Sequence, residues 1–423
     1  MNFLHSQIGS AKDNAKSPIH NWYKFTAGFS HLFVDEIINQ ENLKSNKNIS
    51  KIFDPFAGCG TTLVSSQKAG VSAIGNEGQK LMYDVIRAKL NWKLEKLDFE
   101  KYLDFIKNYI DDNYLSFDFQ SRTHSLLKGL YKKDSLTKLY LIRDSISQIS
   151  SYKYSLFFKL ALSQTLHKVS INPIAVPYIS RSKTLFKTNL ALEIFESIAR
   201  QMFKDTEEFY TYKKISKVFL HDSRIKNNEI NDGECSTCIT SPPYLNNLDY
   251  GEVSKVHTHF FEYTDSWNDI TKKVRHKLVT GATTHYSESS FDLADYKKSQ
   301  FYNNNKKIAE NLIHTSSKIE EISKLRAGKK SFHILTLYYF RDMYNVLQEI
   351  RRVVKKTGKA FLILGDSAPY GIYIPTTKIL GEISLNCGFK NFEIHKIRTR
   401  GTKWKSLRYR HSIELSENVL VLK

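Results

Sequence analysis

The 423-residue chain is strongly basic, with 63 lysine and arginine residues against 43 aspartate and glutamate residues and a formal net charge of +20. Its hydrophobic content of 41% is enough for one elaborated domain or two to three modest ones, and excludes disorder over long spans. No run approaches the length of a transmembrane helix, and the polar residues 1–16 lack the apolar core of a signal peptide, so we expect a cytoplasmic protein. The charge favours a polyanionic partner without separating DNA, RNA and anionic membrane.

The first predicted elements surround a glycine-rich turn. After a polar start at residues 1–18, apolar residues from His20 to Ile37 recur at helix-like spacing. Next come a short strand, the motif Asp54-Pro55-Phe56-Ala57-Gly58-Cys59-Gly60-Thr61-Thr62 and a helical run from Leu63 to Ala69. Glycines let the backbone approach a ligand closely, and the helix start presents free amides. A strand-to-helix turn without any ligand fits this motif too.

Two acids near this turn indicate which ligand it suits. A carboxylate at Asp54 would repel a pyrophosphate but pair with an ammonium group. Glu77 follows a second apolar strand, residues 71–75, at a position where an acid typically binds a ribose diol. An amine at one end and a ribose at the other describe S-adenosylmethionine better than NAD or ATP. Leu81 to Leu97 then predict a further helix.

The middle of the chain departs from alternating strands and helices. Its apolar residues are spaced three to four apart, which predicts a largely helical insertion over residues 99–213. Within it, residues 171–185 carry Arg181 and Lys183 and suit a loop facing nucleic acid. The insertion could equally be scaffold or a dimerisation surface.

A second motif follows a buried strand at Cys235 to Thr240, itself preceded by a strand at Ile215 to Leu220. Its residues are Ser241-Pro242-Pro243-Tyr244. Two prolines remove two backbone donors, which leaves the carbonyls of Ser241 and Pro242 as acceptors for an exocyclic amino group, with Tyr244 stacking on its ring. A turn in which Pro-Pro ends a strand is the alternative. Cys235 and Cys238 lack the second ligand pair of a zinc site, so we expect neither metal nor disulfide.

The remaining third contains two basic regions. Residues 245–330 are polar and poor in aliphatic periodicity, and the cluster Lys272, Lys273, Arg275, His276 and Lys277 makes them a candidate target-recognition region or a solvated loop. Asn246, Asp249 and Tyr250 are close enough to the second motif to line a base pocket. Helices are predicted at 337–354, ended by Thr357-Gly358, and at 379–386, with strands at 360–364, 392–397 and 419–422. Between the last two strands lies a basic hairpin suited to a phosphate backbone, with cations and aromatics at Lys396, Arg398, Arg400, Lys403, Trp404, Lys405, Arg408, Tyr409 and Arg410.

Together the two motifs resemble the DNA amino-methyltransferases of the N4-cytosine and N6-adenine group. The Ser-Pro-Pro-Tyr form is more typical of N4-cytosine enzymes of restriction-modification systems. The resemblance also covers residues 20–38, the strand before Asp222 and the C-terminal third, but not the middle. It implies an α/β fold with a Rossmann-like seven-stranded sheet, a helical insertion and a basic C-terminal hairpin, in which the methyltransferase domain comprises residues 1–98 and 214–423.

The resemblance also implies roles for individual residues. S-adenosylmethionine would be held by Phe25, Asp54, Pro55, Phe56, Ala57, Gly58, Gly60, Thr61, Thr62, Glu77 and Asp222, the last accepting from the adenine amino group. Catalysis would fall to Ser241, Pro242, Pro243 and Tyr244, with Cys59 incidental. Double-stranded DNA and a cognate restriction endonuclease are the implied partners. An N6-adenine enzyme, an RNA base or guanine-N2 methyltransferase and a non-catalytic nucleic-acid-binding protein remain open.

Overall fold

The computed structural model describes residues 11–25, 28–45, 49–174, 179–180, 190–210, 216–325, 330–400 and 413–423. These ranges contain one seven-stranded sheet in the order β3-β2-β1-β4-β5-β7-β6. Strand β7 is antiparallel to both its neighbours, and every other pairing is parallel. The predicted Rossmann-like α/β sheet is therefore confirmed. Its strands are Lys51–Asp54 (β1), Ser72–Glu77 (β2), Lys217–Leu220 (β3), Cys235–Thr240 (β4), Val354–Gly365 (β5), Phe392–Arg400 (β6) and Leu415–Leu422 (β7).

The strand order places both sequence motifs at one point of the sheet. Chain order reverses between β1 and β4, which lie side by side with Phe53 opposite Cys238. In open parallel sheets the crevice outside the carboxyl ends of the strands at such a reversal is where ligands bind. The glycine-rich motif follows β1 and the Ser-Pro-Pro-Tyr motif follows β4, so both border this crevice.

Helices cover both faces of the sheet, and two buried apolar clusters fill the space between. The described α-helices are His31–Ser45 (α1), Thr61–Lys68 (α2), Lys80–Lys89 (α3), Lys96–Asn113 (α4), Phe119–Arg122 (α5), Ser125–Lys128 (α6), Lys133–Gln148 (α7), Tyr152–Val169 (α8), Ala191–Glu207 (α9), Tyr250–Phe260 (α10), Trp267–Lys273 (α11), Leu293–Lys298 (α12), Gln300–Asn304 (α13), Lys306–Lys324 (α14), Phe332–Val353 (α15) and Thr376–Asn386 (α16). Short 3₁₀ turns lie at Asp13–Lys16, His20–Trp22, Arg275–Lys277, Thr283–His285, Glu288–Ser290 and Pro369–Gly371. None of the helices in the described ranges is long and apolar enough to cross a membrane.

The region of the predicted insertion is helical from α4 to α9, as far as it is described. An aromatic core joins its helices, with the Phe99 ring 4.5 Å from Phe203 and 5.6 Å from Phe158, centroid to centroid. Large rings that stack or meet edge-on hold helices together through both area and geometry. Arg181 and Lys183, the candidate nucleic-acid contacts in this region, lie outside the described residues.

Several predicted boundaries differ from the structure. The helix predicted from Leu81 to Leu97 ends at Lys89, and buried Trp92 donates its indole N–H to the Lys89 carbonyl at that end. Residues 245–330, predicted to lack aliphatic periodicity, instead hold five helices within their described part. One of them, α14, buries Ala309, Leu312 and Ile319 on a single face. Helix α15 begins before Leu337, and the residues predicted to end it, 357–358, lie inside β5.

Candidate active site

A cavity open to solvent lies at the carboxyl ends of β1, β2 and β4, with about 770 Å³ of empty space when that open solvent is included. It is lined by ten of the fifteen residues predicted for the site: Phe25, Pro55, Phe56, Ala57, Gly58, Thr61, Glu77, Asp222, Ser241 and Pro243. Residues separated by more than 200 positions therefore share one pocket. The other five predicted residues, Asp54, Gly60, Thr62, Pro242 and Tyr244, border these without lining the cavity.

The glycine-rich turn follows β1 and shapes one wall of the cavity. Gly58 and Gly60 both adopt left-handed backbone conformations, with φ of 54° and 88°. A Cβ at Gly58 would also lie 3.3 Å from the ring of Phe25. Only glycine combines a left-handed backbone with room for the neighbouring ring without strain. The turn leads into α2, whose first residue, Thr61, lines the cavity.

Glu77 is the buried acid of this wall. One carboxylate oxygen accepts from the Gly58 amide at 2.9 Å and the other from the Gln79 amide at 2.8 Å. Burial nevertheless raises its pKa to about 7, because removal from water disfavours the charged form. The two amides fix the carboxylate in place, while each oxygen keeps a second lone pair for a donor in the cavity.

Asp54 has a different position from the one its sequence context predicted. It is buried, and one carboxylate oxygen accepts from the Thr240 hydroxyl at 2.6 Å and from the Phe56 amide at 3.0 Å. Burial raises its pKa to about 6. Since it does not line the cavity, Asp54 joins the ends of β1 and β4 from behind the wall.

Asp222 lines the cavity and is held by an arginine that sequence reasoning missed. Arg224 donates to both Asp222 carboxylate oxygens and also to Asp342 on α15. The same guanidinium donates to the His276 carbonyl. Lys277, Leu278 and Val279, which follow His276, line the cavity. Arg224 therefore connects an acid of the cavity to the segment that closes its opposite side.

The Ser-Pro-Pro-Tyr loop leaves β4 with its hydroxyl and carbonyls near the cavity. The Ser241 hydroxyl donates to the Ile363 carbonyl at 3.4 Å, a long contact that leaves its lone pairs available. The Pro243 carbonyl accepts from the Tyr339 hydroxyl at 3.0 Å, which anchors the loop to α15. The prolines supply no backbone donor, and Ser241 and Pro243 are the residues of this loop that line the cavity.

Tyr244 is held by residues from the C-terminal strands. Its hydroxyl donates to Glu417 at 2.9 Å, and the Arg400 guanidinium lies 4.8 Å from its ring centroid. A Cβ at Gly365 would lie 2.0 Å from Arg400 and 2.9 Å from the Tyr244 ring, so only glycine leaves room. Burial, followed by the Glu417 carboxylate, raises the pKa of Tyr244 well above its ordinary value, which keeps the hydroxyl a donor.

Some cations of the two basic regions are paired within the protein. Arg275, in the cluster proposed to hold phosphates, is only 1% exposed and pairs with Asp249 at 2.7 Å. Asp249 in turn caps α10, so neither of these two side chains is free to meet DNA or a base. Arg398 and Arg400 of the C-terminal hairpin turn inward to Glu417 and Tyr244. The tip of that hairpin, residues 401–412, lies outside the described residues.

Further cavity residues carried no sequence signal of their own. They include Gly28, Phe29, Asn76, Gly78, Gln79, Met82, Ser223, Leu278 and Val279. Tyr250, predicted for the base pocket, lines the cavity and stacks against Phe25 with ring centroids 6.3 Å apart. The ring pair adds apolar surface to the cavity, beside the glycine turn that Phe25 contacts at Gly58. Cys235 and Cys238 are buried in β4 as free thiols.

Comparison with known proteins relates more than nine-tenths of the chain to methyltransferases. No family model matches it. The type II methyltransferase M.BsoBI of Geobacillus stearothermophilus is 23% identical over 93% of this chain and 83% of its own length. M.MvaI of Kocuria varians and M.AvaI of Nostoc sp., also type II methyltransferases, are each 21% identical, over 92% and 91% of this chain and 85% and 82% of their own lengths. The methyltransferase resemblance is confirmed, and it extends through the middle that the motifs did not cover.

Proposed function

We propose that this chain, related to type II methyltransferases over more than nine-tenths of its length, transfers a methyl group from S-adenosylmethionine to the exocyclic N4 of cytosine in duplex DNA. It would act as the modification enzyme of a restriction-modification system, alongside a cognate endonuclease. The observation that carries the proposal is the meeting of Glu77 and the Gly58 turn with Ser241 in one cavity. N6 of adenine in DNA and a base in RNA are the alternative targets.

The cavity residues suit S-adenosylmethionine at several points. The fixed carboxylate of Glu77 offers acceptors to ribose hydroxyls, and the Phe25–Tyr250 pair offers apolar surface. Asp222, oriented by Arg224, offers an acceptor for the adenine amino group. The start of α2 and the glycine turn bring backbone amides to the methionine end. S-adenosylmethionine, when bound, supplies an electrophilic methyl group.

The chain's own task is to make an aryl amine nucleophilic. The amine lone pair is delocalised into the base, so the nitrogen must become pyramidal during attack. Ser241 Oγ and the Pro242 carbonyl would accept hydrogen bonds from the two amino N–H groups, orient the lone pair and favour positive charge on nitrogen. Tyr244 would stack on the base after it leaves the helix, because the amino group cannot reach the cavity from within a duplex. This route needs no cysteine nucleophile, so Cys59 has no chemical role in it.

Parallel incubations with methyl-labelled S-adenosylmethionine and either unmethylated genomic DNA or total RNA, each followed by nucleoside analysis, test the function. We expect N4-methylcytosine. N6-methyladenine would reject cytosine as the target base but support methyl transfer to DNA. Label in RNA alone would make RNA the substrate. No label in either nucleic acid would refute methyl transfer to nucleic acid.

A matched pair of serine variants tests the residue assignment. Ser241→Ala should lower the methylation rate on the order of 100-fold, the cost typical of removing one preorganised hydrogen-bond group, while leaving cofactor affinity nearly unchanged. Ser147→Ala, at an exposed serine on α7, should change neither quantity. Equal loss of cofactor affinity and rate in Ser241→Ala would contradict the division of roles.

A further inference from the structure

The hydroxyl of Tyr244 is held by an acid 173 residues away in the chain. Glu417 is 1% exposed, and its Oε1 accepts from Tyr244 at 2.9 Å. Its other oxygen, Oε2, accepts from the Arg398 guanidinium. A buried carboxylate is costly unless it is paired and hydrogen-bonded, and here each oxygen has one donor. The contact is therefore a specific one rather than a chance approach of two side chains.

The register of the sheet explains why these residues meet. Gly365 on β5 lies opposite Glu417 on β7, and Glu417 lies opposite Arg398 on β6. The three form one row across the sheet at the end of β5, beside the Ser-Pro-Pro-Tyr loop. Because Gly365 has no side chain, the Tyr244 ring passes over it and reaches Glu417. The row thus fixes both ends of the ring, its hydroxyl through Glu417 and its edge against Gly365.

From this geometry we propose that Glu417 is a positioning residue for Tyr244, supported from behind by Arg398. This inference rests on the proposed function. A ring that must stack on a base entering from the helix works only if its plane is already set, since reorientation would cost conformational entropy at each turnover. The proposal makes the C-terminal strands part of the base pocket, through Glu417, rather than only a surface for phosphates.

Double-mutant cycles on methylation test this role. Single-turnover methyl transfer at saturating cofactor is measured for wild type, Tyr244→Phe, Glu417→Ala and the double variant. Each single change removes the same hydrogen bond to a charged acceptor and should slow transfer on the order of 10-fold or more. The double variant should be no slower than the worse single variant. Glu417→Gln keeps one oxygen that can accept from the hydroxyl but turns its amide donor toward Arg398, so it should recover part of the rate lost in Glu417→Ala.

A second cycle separates the contact from the chemistry. The free energy of unfolding of the same four proteins reports the Tyr244–Glu417 bond whether or not methylation occurs. Glu393→Gln is the matched control, an acid on β6 that pairs with Lys423 at the far end of the hairpin, and it should leave the rate unchanged. If the two substitutions are coupled in the free energy of unfolding but independent in their effects on the methyl-transfer rate, Glu417 has only a structural role and the proposal is overturned. If the substitutions are coupled in the free energy of unfolding but the wild-type protein methylates no nucleic acid, the proposed function is rejected and this role of Glu417 with it.

Discussion

Cofactor binding should depend on pH through Glu77. Its pKa of about 7 in the free protein results from burial, and the charged form is the better acceptor for ribose hydroxyls. With that pKa, roughly a tenth of the protein is charged at Glu77 near pH 6 and roughly three quarters near pH 7.5. Affinity should therefore rise roughly eightfold across this window. The window ends below the ordinary pKa of an α-amino group, so the ammonium of the ligand stays charged for most of it.

Isothermal titration calorimetry with S-adenosylhomocysteine measures this dependence without turnover. Glu77→Gln should bind more weakly at every pH, because its amide presents a donor to one of the two backbone amides that now donate to Glu77. The Gln variant should also lose the eightfold change of affinity with pH. A wild-type affinity independent of pH, or an unchanged slope in the Gln variant, would refute the assignment of Glu77 to the ribose.

The same pKa shift predicts an opposite trend for the free protein. The pKa of Glu77 is raised from 4.5 to about 7 on folding, so the folded state holds the proton more tightly than the unfolded state. Its contribution to the free energy of unfolding is therefore present in full below pH 4.5 and is lost as the pH rises to about 7. Saturating ligand should reverse this trend, because it favours the charged carboxylate.

Two further substitutions test the walls of the cavity. Gly58→Ala should weaken cofactor binding on the order of 10-fold or more, because its left-handed backbone and a neighbouring ring both oppose a Cβ. The control Gly70→Ala, also left-handed but with no atom within 4 Å of the added Cβ, should cost about 1 kcal/mol of stability and leave the affinity unchanged. Arg224→Met should lower the free energy of unfolding by roughly 3 kcal/mol, since it removes the guanidinium from Asp222 and Asp342, although Asp342 keeps the donors of Thr280. Arg200→Met, which breaks two ion pairs at the surface, with Glu100 and Glu196, should cost about 1 kcal/mol or less in the same denaturant titration.

The parts of the site that lie within one short stretch were predictable from sequence. The glycine turn and the Ser-Pro-Pro-Tyr loop are each a strand end followed by a few residues, and local patterning identifies both. The strand Cys235–Thr240 was predicted with its observed bounds. The closing pair of β6 and β7 was also predicted, as two shorter strands at 392–397 and 419–422.

Interactions between distant stretches were not predictable in the same way. Arg275 belongs to a run of basic residues typical of a phosphate-binding loop, yet its partner Asp249 lies 26 positions earlier, and the pair buries it. A run of basic residues is visible in the sequence, but whether one of them is buried depends on which acidic side chain the fold brings next to it. Glu417 did leave a trace, as an acid two positions before Val419 in an apolar strand. An isolated acid in a buried strand indicates a partner without naming it.

The position of Asp54 explains why the two motifs occur together. Both β1 and β4 end at the same edge of the sheet, and the Asp54–Thr240 hydrogen bond fixes the separation of the loops that follow them. One loop shapes the wall that would hold the methyl donor, and the other would hold the acceptor nitrogen. Methyl transfer requires reacting atoms held within about 3–3.5 Å in the aligned geometry, so a displacement of either loop costs rate. An acid placed behind the cavity can thus be needed for both binding and transfer without touching the ligand, which sequence position alone does not distinguish from a direct contact.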